Sequence, residues 1–197
     1  MKRETVMARC IAASRFPLLL LLLPLLVSIG CRSSPQSASD PQRAAALAIS
    51  SGLHPPTRNQ DVQAMVVPPF GWNAEPLKSS DQHTHQVWIS PSRNTAYGVI
   101  YFSLPWPVGP DLTLWGFLQQ MKKTEGRADL ISKETDDQLP GLRFVARGAI
   151  YTVRTNLIVS GFHGWAIYAG TINQNPVNAR ELLTAIRARE QTRAGLP

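Results

Sequence analysis

Near the start of the chain lies a run that no water-soluble fold leaves exposed. Phe16 to Ile29 are 14 residues without a charge, and Leu18 to Leu23 are six consecutive leucines. Lys2, Arg3, Arg9 and Arg15 precede the run, and Gly30 and Cys31 close it. A basic head, an apolar centre and a small residue before a cut are the parts of a secretion signal. At about 1.5 Å per residue the run makes roughly 21 Å of helix, short of the ~30 Å hydrocarbon core. Extending it back to Ile11 would bury Arg15. The expectation is that residues 1–30 are removed on export, and a permanent membrane span is the second reading.

The residues at the cut, Val27-Ser28-Ile29-Gly30-Cys31, resemble the lipobox of bacterial lipoproteins. In that family the cysteine thiol receives a diacylglycerol and the chain is cut just before it. The resemblance implies that Cys31 is the lipid-attachment residue and that the membrane is a partner through this anchor. Ser28 stands where the family usually has leucine. Residues 31–60 read as a flexible tether, with Ser33, Ser34, Pro35, Ser37, Ser39, Pro41, Pro55 and Pro56 and few large apolar side chains. A coil of ~30 residues spans roughly 30 Å between its ends. Arg32 takes the place of the aspartate that retains some lipoproteins at an inner membrane. The localisation implied is the cell envelope, at the periplasmic face of the outer membrane where the source has two. The ordinary alternative is a secreted protein with a spare thiol.

Charge and cysteine count narrow the function classes. Of the net charge of +7, residues 1–30 hold +3, from four bases and Glu4. The remaining +4, spread over the rest of the chain, is a weak footprint for nucleic acid, which asks for a clustered basic face. Cys10 leaves with the signal and Cys31 would be capped by lipid. A thiol nucleophile and a disulfide framework are thereby excluded from the exported domain.

Hydrophobic periodicity places one domain at 61–190 and a tail at 191–197. Val62–Val67, Gln86–Ser90 and Ala96–Leu104 are expected strands. In the last, Tyr97, Val99 and Tyr101 share one face and Ile100, Phe102 and Leu104 the other, so it is expected to be a central strand covered on both sides. A helix should follow Pro110, capped by Asp111 or Thr113, with Leu114, Trp115, Leu118 and Met121 as its apolar stripe and Gly126 as its end. Ala128–Thr135 is a further expected strand. Leu142–Ser160 reads as one long strand whose apolar phase changes at Gly148, the mark of a β-bulge. A hairpin turn at Ser160–Gly164 returns the chain along Trp165–Ile172, and a last helix opens at Asn175-Pro176, or alternatively at a capping box of Asn178 and Glu181, burying Ala179, Leu182, Leu183 and Ile186. The fold class expected is α+β, an antiparallel sheet of about five to six strands with two main helices.

Pro69-Phe70-Gly71-Trp72 after the first strand, the long hairpin Ala149–Ile172 and a closing helix with Glu181 and Ile186 resemble the PsbP-like fold. That family includes extrinsic photosystem proteins and small bacterial envelope lipoproteins. The resemblance spans about residues 61–190. It implies an α/β/α sandwich and a binding or assembly accessory, usually without catalysis.

His83 and His85, two apart on a strand, direct both imidazoles to one side. Asp81 is the only other donor nearby, and His163 would complete a metal site only if the fold delivered it. The plainer reading is a polar loop before an edge strand. Trp72 and Trp106 lie in proline-bearing loops and are either core plugs or a partner patch for a peptide or glycan. Trp115 and Trp165 are expected in the core. Arg180, Arg187, Arg189 and Arg193 make the last helix basic, a solvated face or a contact for anionic lipid. No nucleophile elbow, His-Glu-x-x-His or phosphate loop is present, and no cofactor is implied. The reading is a lipid-anchored, non-catalytic accessory with an unknown envelope partner. The alternatives are a small-ligand or metal-binding lipoprotein and a hydrolase with an unrecognised site.

Overall fold

The computed structural model describes residues 52–136 and 141–195. Residues 1–51, with the expected signal, Cys31 and most of the expected tether, lie outside them. The described elements, in chain order, are β1 (Thr57–Asn59), β2 (Ala64–Val66), β3 (Asn73–Ala74), β4 (Lys78–Ser79), β5 (His83–Ile89), β6 (Thr95–Ser103), α1 (Pro110–Glu125), β7 (Ala128–Asp136), β8 (Gly141–Gly148), β9 (Tyr151–Ser160), β10 (His163–Ile172), α2 (Ala179–Gln191) and β11 (Arg193–Ala194).

The fold is α+β. An eight-stranded antiparallel sheet runs β3-β5-β6-β10-β9-β8-β7, with β4 also paired to β5, and a separate three-stranded sheet runs β1-β2-β11. The expected five to six strands are thus too few. Four of the additional ones, β1, β3, β4 and β11, are two or three residues long, and period-two alternation needs at least four residues to be read; the fifth arises because the run 142–160 is two strands.

Strand β6 is interior and covered on both sides, as its two apolar faces require. Tyr97 and Val99 join a cluster with Trp88, Trp165, Ile167 and, from α2, Ala185 and Ala188. Ile100, Phe102 and Leu104 pack with Leu142, Phe144, Leu157 and, from α1, Leu114 and Met121. Because neighbouring residues of a strand point to opposite faces, the two helices lie on opposite sides of the sheet. The first cluster also takes in Leu53, Val62, Val66 and Val67, which places the small sheet on the α2 side.

Several expectations are corrected. The long run 142–160 is two strands joined by the two-residue turn Ala149-Ile150, and Gly148 is no bulge. A two-residue turn pairs even with odd positions, Phe144 with Thr155 and Ala146 with Val153, so the apolar phase flips as the chain reverses. Gly148 lacks a side chain for another reason. The Glu125 carboxylate, at the end of α1, lies where a Cβ would stand, and it accepts from the N–H groups of Ile150 and Tyr151 at 2.9 and 3.1 Å. The bulge of the sheet is in β7, between Leu130 and Ser132.

In α1 the N-cap is Gly109, with no side-chain cap, and Pro110 is the first helical residue. Proline is suited to that place because its missing N–H has no partner there anyway. Asp111 falls in the first turn and pairs with Lys133, and Thr113 Oγ1 donates to Gly109 O at 3.1 Å. Trp115 is 60% exposed; one residue past Leu114 is a 100° turn off the buried stripe. Gly126 closes the helix at φ 76°, as expected. In α2, Asn178 caps by accepting from the N–H groups of Arg180 and Glu181. Its buried residues are Ala185 and Ala188, while Leu183 is exposed. Small residues face the sheet there because Tyr97 and Trp165 fill the space.

The ends of the folded unit also differ from those read in the sequence. Leu53, placed in the tether, is fully buried, and Thr192, placed in the tail, is 4% exposed. Trp165 Nε1 donates to Val62 O at 3.1 Å inside the core.

Candidate functional site

A cavity of about 710 Å3 is built by the segment that enters the domain and by the Pro-Phe-Gly-Trp loop. Leu53 bridges Pro69 in antiparallel fashion. His54 N–H donates to Pro68 O and Phe70 N–H to Gly52 O, each at 2.8 Å. This fixes the His54 ring over Phe70, with centroids 4.1 Å apart and planes 11° from parallel. Gly71 adopts φ 73°, which lets the loop reverse and hand Trp72 back toward the sheet. Asn73 then pairs with Ile89.

Trp72 and Trp88 line one part of this groove, and Pro55, Arg58, Asp61 and Pro68 line others. Asn59 Oδ1 accepts from the N–H groups of Asp61 and Val62, which rigidifies the turn carrying Asp61. Trp88 is itself stacked on buried Tyr97 at 5.1 Å. The groove therefore offers the half-buried Trp72 ring, backed by buried Trp88, beside a cation and an anion. Such a surface can hold a flat or extended ligand by stacking and orient it by charge. Nothing in the sequence marks His54 or Trp88 as neighbours of Trp72. Their role depends on the bridge at Pro69, a pairing of single residues that carries no periodic signal.

Trp106 does not belong to this groove. Trp72 precedes the Asn73–Ile89–Ala96 end of the sheet, whereas Trp106 follows Ser103. Ala96 and Ser103 stand about 23 Å apart along β6. Trp106 is 61% exposed, so it plugs no core, whereas Trp72 packs against the α2-side cluster. The structure separates the two candidates.

His83 and His85 do project from one face of β5, but each has an organic partner. His83 Nδ1 lies 2.9 Å from Ser80 Oγ, and His85 Nε2 lies 2.7 Å from the Tyr168 hydroxyl. Burial, with Lys78 and His83 adding to it, lowers the His85 pKa to about 4. Burial pushes the Tyr168 phenol up, beyond its usual range. With both groups uncharged, the tautomer of His85 sets which of the two donates. His163 pairs with Ser103, next to the Phe102 that pairs with His83, so it faces the opposite side of the sheet and bonds Tyr101 at 2.7 Å. Among the described residues no three His, Cys, Asp or Glu side chains converge on a metal-sized site.

The basic last helix divides. Arg180 and Arg187 are exposed, whereas the Arg189 side chain is only 11% exposed and turns toward β8 and β9. Among the described residues no helix is long and apolar enough to cross a membrane. No family model matches this chain, and no curated protein matches it.

Proposed function

We propose that this chain is a lipid-anchored cell-envelope protein whose single domain acts as a non-catalytic binding or assembly accessory. The observation that carries the reading is the aromatic groove at Trp72 and Trp88, formed by residues 54–61 and the Pro-Phe-Gly-Trp loop. Those residues follow the tether directly, so a partner held there would be held beside the bilayer. The lipobox-like sequence at Cys31 supports the anchor, and the cover of the sheet on both faces supports a PsbP-like α/β/α sandwich. A partner bearing a flat or proline-rich extended segment suits the groove, because stacking on fixed indoles needs no further ordering of the site.

Two measurements test this. In its source cell the protein should stay with membranes through a salt wash, and Cys31→Ser should move it to the soluble fraction. A partner recovered by crosslinking should be lost in Trp72→Ala while thermal unfolding of the variant remains cooperative. Retention of Cys31→Ser on membranes would overturn the anchor. Unchanged partner recovery in a folded Trp72→Ala protein would overturn the groove.

A further inference from the structure

The α2 side of the main sheet is only partly covered by its helix. Helix α2 packs over β6, β9 and β10, and its last turn stops beside β8 and β9. A second cavity of about 270 Å3 lies there, lined by Arg143, Arg154, Arg189, Ser132, Glu134 and Glu190 among others. Strand register explains the convergence. Glu134 pairs with Arg143 and Ser132 with Val145 across β7 and β8, and Val145 pairs with Arg154 across β8 and β9. All of these point to the side opposite Phe144 and Leu157, hence toward α2.

The charges in this cavity are unevenly compensated. Glu190 accepts from Arg189 Nη2 at 3.2 Å. Both glutamates lie in exposed positions, where water screens them. Arg154 Nη1 and Arg189 Nε, by contrast, are buried and have no hydrogen-bond partner. A guanidinium keeps its charge and its donors, so a buried N–H left unpaired is costly. Desolvation, and then the nearby charges of Arg143 and Arg154, press the Arg189 pKa down against the pull of Glu190. Packing leaves these two buried donors, one on β9 and one on α2, facing the same small cavity without an acceptor.

We propose that Arg143, Arg154 and Arg189 form a binding site for a phosphoryl dianion. A tetrahedral oxyanion offers one oxygen to each of three guanidinium forks, whereas a carboxylate has only two to share. The volume admits one such group and leaves room for the organic part of a phosphate ester. This site shares no lining residue with the Trp72 groove, so it stands or falls independently of the proposed accessory role.

The test is thermal unfolding of the purified full-length protein at about pH 8, where phosphate is a dianion. Inorganic phosphate, acetate and dihexanoyl phosphatidic acid are compared with chloride at matched ionic strength. Inorganic phosphate should raise Tm saturably by about 4 °C. A rise with phosphatidic acid alone would identify a lipid headgroup as the source of the same phosphoryl group. No rise beyond chloride with either, or an equal rise with acetate, overturns the proposal. Arg154→Gln should abolish the response. Arg189→Lys, which keeps the charge but removes the fork, should weaken phosphate affinity at least roughly tenfold by calorimetry; unchanged affinity rejects the assignment. Should Arg154→Gln fail to fold, phosphate must still shift the arginine Nε–Hε resonances of the unsubstituted protein, and a spectrum unmoved by phosphate counts against the site.

Discussion

The hydroxyl of Tyr168 stands 2.7 Å from Nε2 of His85, and its ring lies across Gly98 of the intervening strand. The imidazole and the phenol share one hydrogen bond, and burial keeps both groups uncharged. The folded pKa of His85, about 4, lies below the ordinary 6.5. Between these values the unfolded chain binds more protons than the folded one, so stability rises with pH across this window. It is fully present above pH 6.5 and is lost as pH falls toward 4. Because the ring is only half-buried, the loss should be on the order of 1–2 kcal/mol, less than the whole shift implies. Urea titrations at the two ends of the window should show this slope, and it should flatten in His85→Gln.

The same arrangement makes Gly98 intolerant of a side chain. An added Cβ would fall 2.5 Å from Cζ of Tyr168, so Gly98→Ala must displace the ring and break its bond to His85. The expected cost is about 1–3 kcal/mol. In a Tyr168→Ala background the same substitution should cost less than half as much. Equal costs in the two backgrounds, measured as a double-mutant cycle, would show that the ring is not what excludes the methyl group.

Thr192 lies beyond the last helix but serves the core. Its hydroxyl donates to Ala188 O at 2.8 Å and accepts from the buried Tyr97 hydroxyl at 2.5 Å. Tyr97→Phe leaves that oxygen short of a donor and should cost about 1–3 kcal/mol. Truncation after Gln191 removes both this bond and β11, which pairs with β2. It should destabilise the domain by more than Tyr97→Phe, and chemical denaturation of the two variants compares them directly.

Trp106→Ala should leave stability within about 0.5 kcal/mol of the parent, since the side chain is 61% exposed. Trp72→Ala should cost more, about 1–3 kcal/mol, because it packs on the buried cluster around Trp88. Denaturant midpoints that reverse this order would contradict the placement of the two indoles.

Much of the architecture was legible because it is written in periods. The two apolar faces of 96–104 required cover from both sides, and α1 and α2 supply it. Gly126 and Asn178 mark a helix end and a helix start by local chemistry alone. The single strand expected over 142–160 failed because Ala149-Ile150 carries no turn signature. What reverses the chain there is a carboxylate from α1, 25 and 26 residues away in sequence. Trp115 failed as a core residue because one position along a helix is a large rotation.

Of the candidate site, the sequence supplied Trp72 but neither His54 nor Trp88 as its neighbours. It supplied Arg189 but not Arg143 and Arg154. The sequence by itself determined an α+β domain, the interior place of β6 and most helix and strand positions, because side-chain period and capping act within a few residues. Only the tertiary structure decided which aromatic residues share a groove, that His163 faces away from His83 and His85, and which arginines meet. Those relations are set by strand register and by the side on which each helix packs, and both are fixed by contacts between residues far apart in the chain.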